Sequence, residues 1–250
     1  MNIEPRQTII KHHGGKGSGN WGHSGRAGFV GGSGIGGSGR GIGQSLEQEA
    51  LNHKSAEEFV EQFTIKQPKL NSKEISNLAR DLDYGNKEEA IEYLKQKGVE
   101  SIDGYHVSKI EDKNNISNNG IETGISWYRR EESVYFFADP DDIKNAIPYL
   151  AMKIEGNKGG NILVTHFQIP IKEIKKMEWD GFFASQFESY SSFRIEKNIP
   201  KEQISEFKLF NIPSDIKYKK NKFVTKQQLI DIYNKVHNHQ QTTIIKREGK

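Results

Sequence analysis

Residues 105–121, YHVSKIEDKNNISNNGI, begin as a strand. Within two residues of His106 a Ser follows, and the chain then enters a short helical turn that ends at Gly120-Ile121. Two further stretches of the same region carry comparable punctuation. VYFFADPDD, around Tyr135, reads as a buried strand followed by Ala-Asp and then a helix running from Pro140 through Met152. SFRIEKNI is a strand preceded by Gln186-Phe187-Glu188-Ser189-Tyr190 and followed by Ile199-Pro200. With ILVTHFQI and SEFKLFNI as further strands, residues 101–216 predict an α+β domain, because strands outnumber crossover helices.

Outward from this region the composition changes twice. Residues 46–100 read as short helices: Ser55 stands ahead of Glu57 and Glu58, Asn71-Ser72 opens KEISNLARDL, and Asn86 opens KEEAIEYLKQKGV, which closes on Gly98. Residues 1–45 are a glycine-rich basic tract, holding fifteen of the chain's 25 glycines between Gly14 and Gly43. So little apolar surface cannot offset the entropy of ordering so many glycines, and a flexible segment is expected there. Trp21, Phe29, Val30 and Ile35 within it suggest docking on a partner or plain linker. Residues 217–250 are a basic connection, an amphipathic helix from Thr225 to Gln240, and a basic tail.

Charge and composition exclude several classes of function. The 250 residues contain no cysteine, which removes disulfide scaffolds, thiolate metal sites and a cysteine nucleophile. Residues 5–46 carry +5 and residues 217–250 carry +7; with Glu4 and a total of +3, residues 47–216 are left at -8. A polyanion could touch the ends, whereas the acidic body makes a poor nucleic-acid groove. No apolar run of about 18 residues occurs, so a soluble, unexported chain without membrane contact is expected. His12, His13, His23, His237 and His239 lack the spacing of a metal site, and no metal is expected.

The three stations at His106, Tyr135 and the SFRIEKNI approach resemble the ADP-ribosyltransferase superfamily, in its His-Tyr-Glu branch of diphtheria-like toxins and poly(ADP-ribose) polymerases. The resemblance covers roughly residues 101–210. It implies a split two-sheet α+β domain that takes NAD as substrate in the cleft between the sheets. His106 would hydrogen-bond ribose hydroxyls and Tyr135 would stack on nicotinamide, with Ser108 and Tyr190 as further NAD-binding candidates and Asp139 and Ser191 beside them. The sequence departs from the family at Val107, where a Gly is usual, and at Ser192, where the catalytic Glu is usual. Glu188 and Glu196 are the substitutes within reach, unless the register of the match is shifted there or the domain is a weak or inactive relative. Their chemistry would be to stabilise the oxocarbenium-like cation formed when nicotinamide leaves.

The string HHGGKGSGNWGHSGRAGFVGGSG looks like a glycine-rich tract of tailed-phage and prophage proteins. That likeness implies a phage-encoded, virion-associated transferase acting on a host protein in the host cytoplasm, with the tract docking on head components. A non-enzymatic phage head or accessory protein with a degenerate binding domain is the alternative, and a nucleic-acid binder acting through both basic ends is the third.

Overall fold

A computed structural model describes residues 46–125, 132–146, 160–212 and 224–248. The glycine tract, the chain beyond Ala146 up to residue 159 and the basic connection 213–223 lie outside the described residues. Four helices come first: α1 (Leu46–Ala50), α2 (Ala56–Gln62), α3 (Ser72–Asp83) and α4 (Lys87–Gln96). Then follow β1 (Ser101–Ser108), α5 (Lys113–Asn119), β2 (Gly124–Ile125), β3 (Glu132–Phe137), β4 (Gly160–Pro170), β5 (Met177–Trp179), α6 (Gly181–Phe187), β6 (Ser192–Ile195), β7 (Ile204–Ile212) and α7 (Lys226–Glu248). Short 3-10 turns at Ile110–Asp112, Pro140–Lys144, Ile171–Lys176 and Lys201–Gln203 connect them.

The helix starts follow the punctuation of the sequence. Asn71 accepts the Glu74 N–H at 3.0 Å while the Glu74 carboxylate accepts the Asn71 N–H at 3.0 Å, a reciprocal cap that satisfies two amides with no partner inside the helix. Thr225 and Gln228 repeat the device at the start of α7. Asn71→Ala is expected to cost about 1 kcal/mol of stability, read as a lowered urea midpoint at unchanged slope.

All strand pairs are antiparallel, in the order β5-β6-β3-β1-β4-β7, with β2 paired to the outer end of β3. The expected two sheets are therefore one. β1 is what joins them: it pairs with β4 along its whole length, Ser101↔Pro170 to Ser108↔Leu163, and meets β3 at Tyr105↔Phe137. The expected helix from Pro140 to Met152 begins as a 3-10 turn, Pro140–Lys144, followed by a turn at Asn145-Ala146, and residues 147–152 lie outside the described residues.

Alternation along the strands gives the sheet two buried faces. On the first, Ile102, Phe136, Leu163, Phe167 and Phe193 pack against Ile75, Leu78 and Leu82 of α3 and Ile91 and Leu94 of α4. The helical segment thus shares its core with the sheet. Gly104 belongs to this face for lack of room: a Cβ there would stand 2.6 Å from the Phe167 ring. On the second face Tyr105, Val107, Phe137 and Val164 pack against Ile143 and Phe183. A separate cluster of Ala50, Phe59, Val60, Leu229 and Tyr233 ties α1 and α2 to α7. Among the described residues no helix is long and apolar enough to cross a membrane.

Candidate functional site

The three stations marked by the sequence fall on β1, β3 and β6, which are neighbours in the sheet. His106, half-buried, lies one residue past the Tyr105↔Phe137 pair at which β1 meets β3. Its Nδ1 is 2.8 Å from the Tyr135 carbonyl oxygen. A carbonyl only accepts, so Nδ1 carries the hydrogen and Nε2 is the acceptor of the neutral ring. His106 and Tyr135 are therefore brought together through the Tyr135 backbone. Their side chains diverge: His106 shares the face of Gly104 and Phe136, while Tyr135, two residues before Phe137, shares that of Tyr105 and Phe137. Ser108, buried at the end of β1 on the His106 face, is 3.4 Å from the Lys109 carbonyl.

Tyr135 stands in register with Arg194 of β6, a residue not marked by the sequence reading. Arg194 is 3% exposed and ion-paired to Glu178 of β5, with Glu196 Oε1 at 3.6 Å and the Ser133 hydroxyl at 3.4 Å. Burying a guanidinium without carboxylates would be prohibitive, and both carboxylates are half open to solvent. Tyr135, Arg194 and Glu196 thus share one face, with Glu178 on the adjoining strand. The available signal was a lone Arg in the otherwise apolar Phe193-Arg194-Ile195.

Glu188 lies at the other end of β6. It ends α6 in the left-handed conformation, with φ 52°, and is the sole described non-glycine residue at positive φ. Such a residue costs about 1 kcal/mol or more and persists where its surroundings hold it. Here Asp142 does so: its Oδ2 accepts the Ser189 hydroxyl at 3.2 Å and the Ser191 N–H at 2.8 Å, while the Asn145 amide donates to the Glu188 carbonyl at 3.3 Å. Asp139 completes the clamp by capping the turn at the Asp141 N–H and accepting the Ser72 hydroxyl at 3.0 Å. The Glu188 side chain is exposed. Tyr190, 67% exposed, walls a cavity of about 210 Å³ with Trp179 and residues of α3. Ser192, at the position where the resemblance calls for a Glu, is buried opposite Phe137.

The sequence-marked residues therefore divide into three groups. His106 and Ser108 lie on one face of the sheet and Tyr135 and Glu196 on the other, where β1, β3 and β6 run side by side, and Glu188 and Tyr190 stand at the turn before β6. Comparison with family models, curated proteins and solved structures returned no match.

Proposed function

We propose that the chain is an NAD-dependent ADP-ribosyltransferase that transfers ADP-ribose to a protein acceptor. The observation that carries this reading is the adjacency of the three stations on β1, β3 and β6, with the His106 imidazole hydrogen-bonded to the Tyr135 backbone at 2.8 Å. That bond ties the His106 ring to β3 and sets the tautomer in which Nε2 accepts a hydrogen bond. NAD supplies the electrophile, the anomeric carbon of its ribose. Departure of nicotinamide leaves positive charge there, which a carboxylate stabilises. Glu196 is favoured over Glu188 for this part because it shares the Tyr135 face, while His106, whose side chain is on the opposite face, acts through its hydrogen bond to the Tyr135 backbone. The neighbouring Arg194 holds it in place. The phage-like tract suggests a phage-encoded enzyme with a host protein as acceptor.

The test is release of nicotinamide from NAD by the full chain with host lysate as acceptor. His106→Ala and Glu196→Gln are each expected to lower the rate by about 100-fold or more, with Glu188→Gln close to wild type. Loss in Glu188→Gln alone would move the carboxylate to the strained turn. Saturable NAD binding without release would favour the second reading, a non-enzymatic accessory protein, for which the buried hydroxyl of Ser192 in place of a carboxylate is the supporting observation. Neither binding nor release would dismiss the resemblance.

A further inference from the structure

A second polar constellation crosses the sheet at β1, β4 and β7. Asp103, 6% exposed, lies with Oδ1 2.8 Å from His166 Nε2, and its Oδ2 accepts the Lys69 N–H at 2.8 Å. On the other side of the ring, Nδ1 is 2.8 Å from the Ser205 hydroxyl, which also has the His166 main-chain carbonyl as an acceptor at 3.1 Å. Tyr105 stacks on the imidazole with centroids 4.9 Å apart and planes 11° from parallel, and its own hydroxyl donates to the Lys66 carbonyl at 2.9 Å. Ser205 itself is exposed.

The sheet geometry explains how the serine comes to stand there. β4 and β7 pair at His166↔Glu206 and next at Phe167↔Ile204, so Ser205 is the extra residue of a bulge. A bulge re-aims a side chain relative to the pleat. The Asp103 carboxylate takes the Nε2 hydrogen, which leaves Nδ1 as the basic nitrogen facing the hydroxyl. Buried carboxylate, oriented imidazole and exposed hydroxyl in hydrogen-bonded series are the parts of an activated nucleophile, recognised by geometry and roles whatever the chain order.

We propose that Ser205, His166 and Asp103 form an acyl-transfer site for small esters or thioesters, separate from the NAD reaction. Ser205 Oγ forms the bond to the acyl carbon while its proton passes to His166 Nδ1. The bond to the alcohol or thiol then breaks, and that group leaves with the proton from Nδ1. Water repeats the sequence: it loses a proton to Nδ1, bonds the acyl carbon and releases Ser205 with the proton returned. Asp103 positions the ring and stabilises the imidazolium. Other charges face this ring as well. Glu206 Oε1 is 3.7 Å from Nδ1, and Lys66 and Lys208 lie 3.6 and 3.7 Å from the Glu206 carboxylate. Lys66 is largely exposed and is paired with Glu206. Burial and the nearby Asp103, Glu206 and Asp139 carboxylates push the Tyr105 phenol up, so the stacked ring stays neutral.

The test uses the full chain and a biotinylated fluorophosphonate, which forms an Oγ–phosphorus bond as fluoride leaves with the proton. The expected result is an adduct on Ser205 by peptide mass spectrometry, formed about 100-fold more slowly in Asp103→Asn and His166→Gln. Should those variants fold poorly, the wild-type rate serves. It should rise with pH through one deprotonation whose midpoint matches the His166 imidazole titration followed by NMR. An unlabelled Ser205, equal rates in the folded variants, or a wild-type rate that does not follow His166 would each overturn the proposal. Ser205→Ala is expected to abolish the adduct while nicotinamide release continues at the wild-type rate, which keeps the two activities distinguishable.

Discussion

Gly120→Ala is expected to remove about 3–5 kcal/mol of stability, a large share of the roughly 5–15 kcal/mol that holds an ordinary domain folded. Gly120 follows α5 at φ 87° and ψ -169°, a backbone region that essentially only glycine occupies. Its N–H closes α5 on the Ile116 carbonyl at 2.9 Å, and the next residue, Ile121, exchanges two 2.8 Å backbone hydrogen bonds with Ile199. An added Cβ would stand 2.2 Å from the Ile199 carbonyl oxygen, so strain and collision fall on the same joint. The control is Gly85→Ala, also at positive φ but with nothing within 4 Å of the new carbon, where about 1 kcal/mol is expected. Urea melts of the pair decide the matter: equal losses would mean that the Ile121↔Ile199 bridge yields without cost.

Asp103→Ala is expected to cost about 2–4 kcal/mol near neutral pH, because it strips the acceptor from the His166 Nε2–H and the Lys69 N–H in a buried setting. Acidity supplies a second reading of the same group. Burial pushes the Asp103 carboxyl up, but the hydrogen bonds from His166 and the Lys69 N–H, with the charges of both residues, outweigh it and hold the group below its ordinary value of 3.8. A lowered native pKa means that the unfolded chain takes the proton first on acidification. The stabilisation is therefore fully present above the ordinary value and is lost as pH falls through the lower native one. Wild type and Asp103→Ala should converge in stability below that range. A gap that stays constant down to strongly acidic pH would show that the contribution is packing rather than charge.

Caps and strands were legible because their causes are local. Ser55, Asn71 and Thr225 mark helix starts through side chains that bond amides three residues on, and GYHVS, SVYFFAD and ILVTHFQI advertise strands by β-branched and aromatic runs. The union of the strands into one sheet was not legible, since it depends on which strand β1 meets at each edge. α6 was also missed: GFFASQF is seven residues with no long amphipathic period, and it exists through the Asp180 cap on Phe183 and the packing of Phe183 on Phe137. Candidate site residues behaved alike. His106 and Tyr135 could be picked out by their neighbours in sequence. Asp103, His166 and Ser205, separated by 63 and 39 residues, carry no mutual sign until the register of β1, β4 and β7 aligns them.

The cluster that ties the first helices to the last has a consequence for how the chain is made. Phe59 and Val60 find their partners Leu229 and Tyr233 nearly at the far end of the described fold, and the Tyr233 hydroxyl reaches the His53 carbonyl across 180 residues. At about 5–20 residues per second, a ribosome takes on the order of 10–30 s to add the roughly 170 residues between Val60 and Leu229. Throughout that interval α1 and α2 present their apolar side to the cell with nothing of their own chain to cover it, while the sheet can already be assembling behind them.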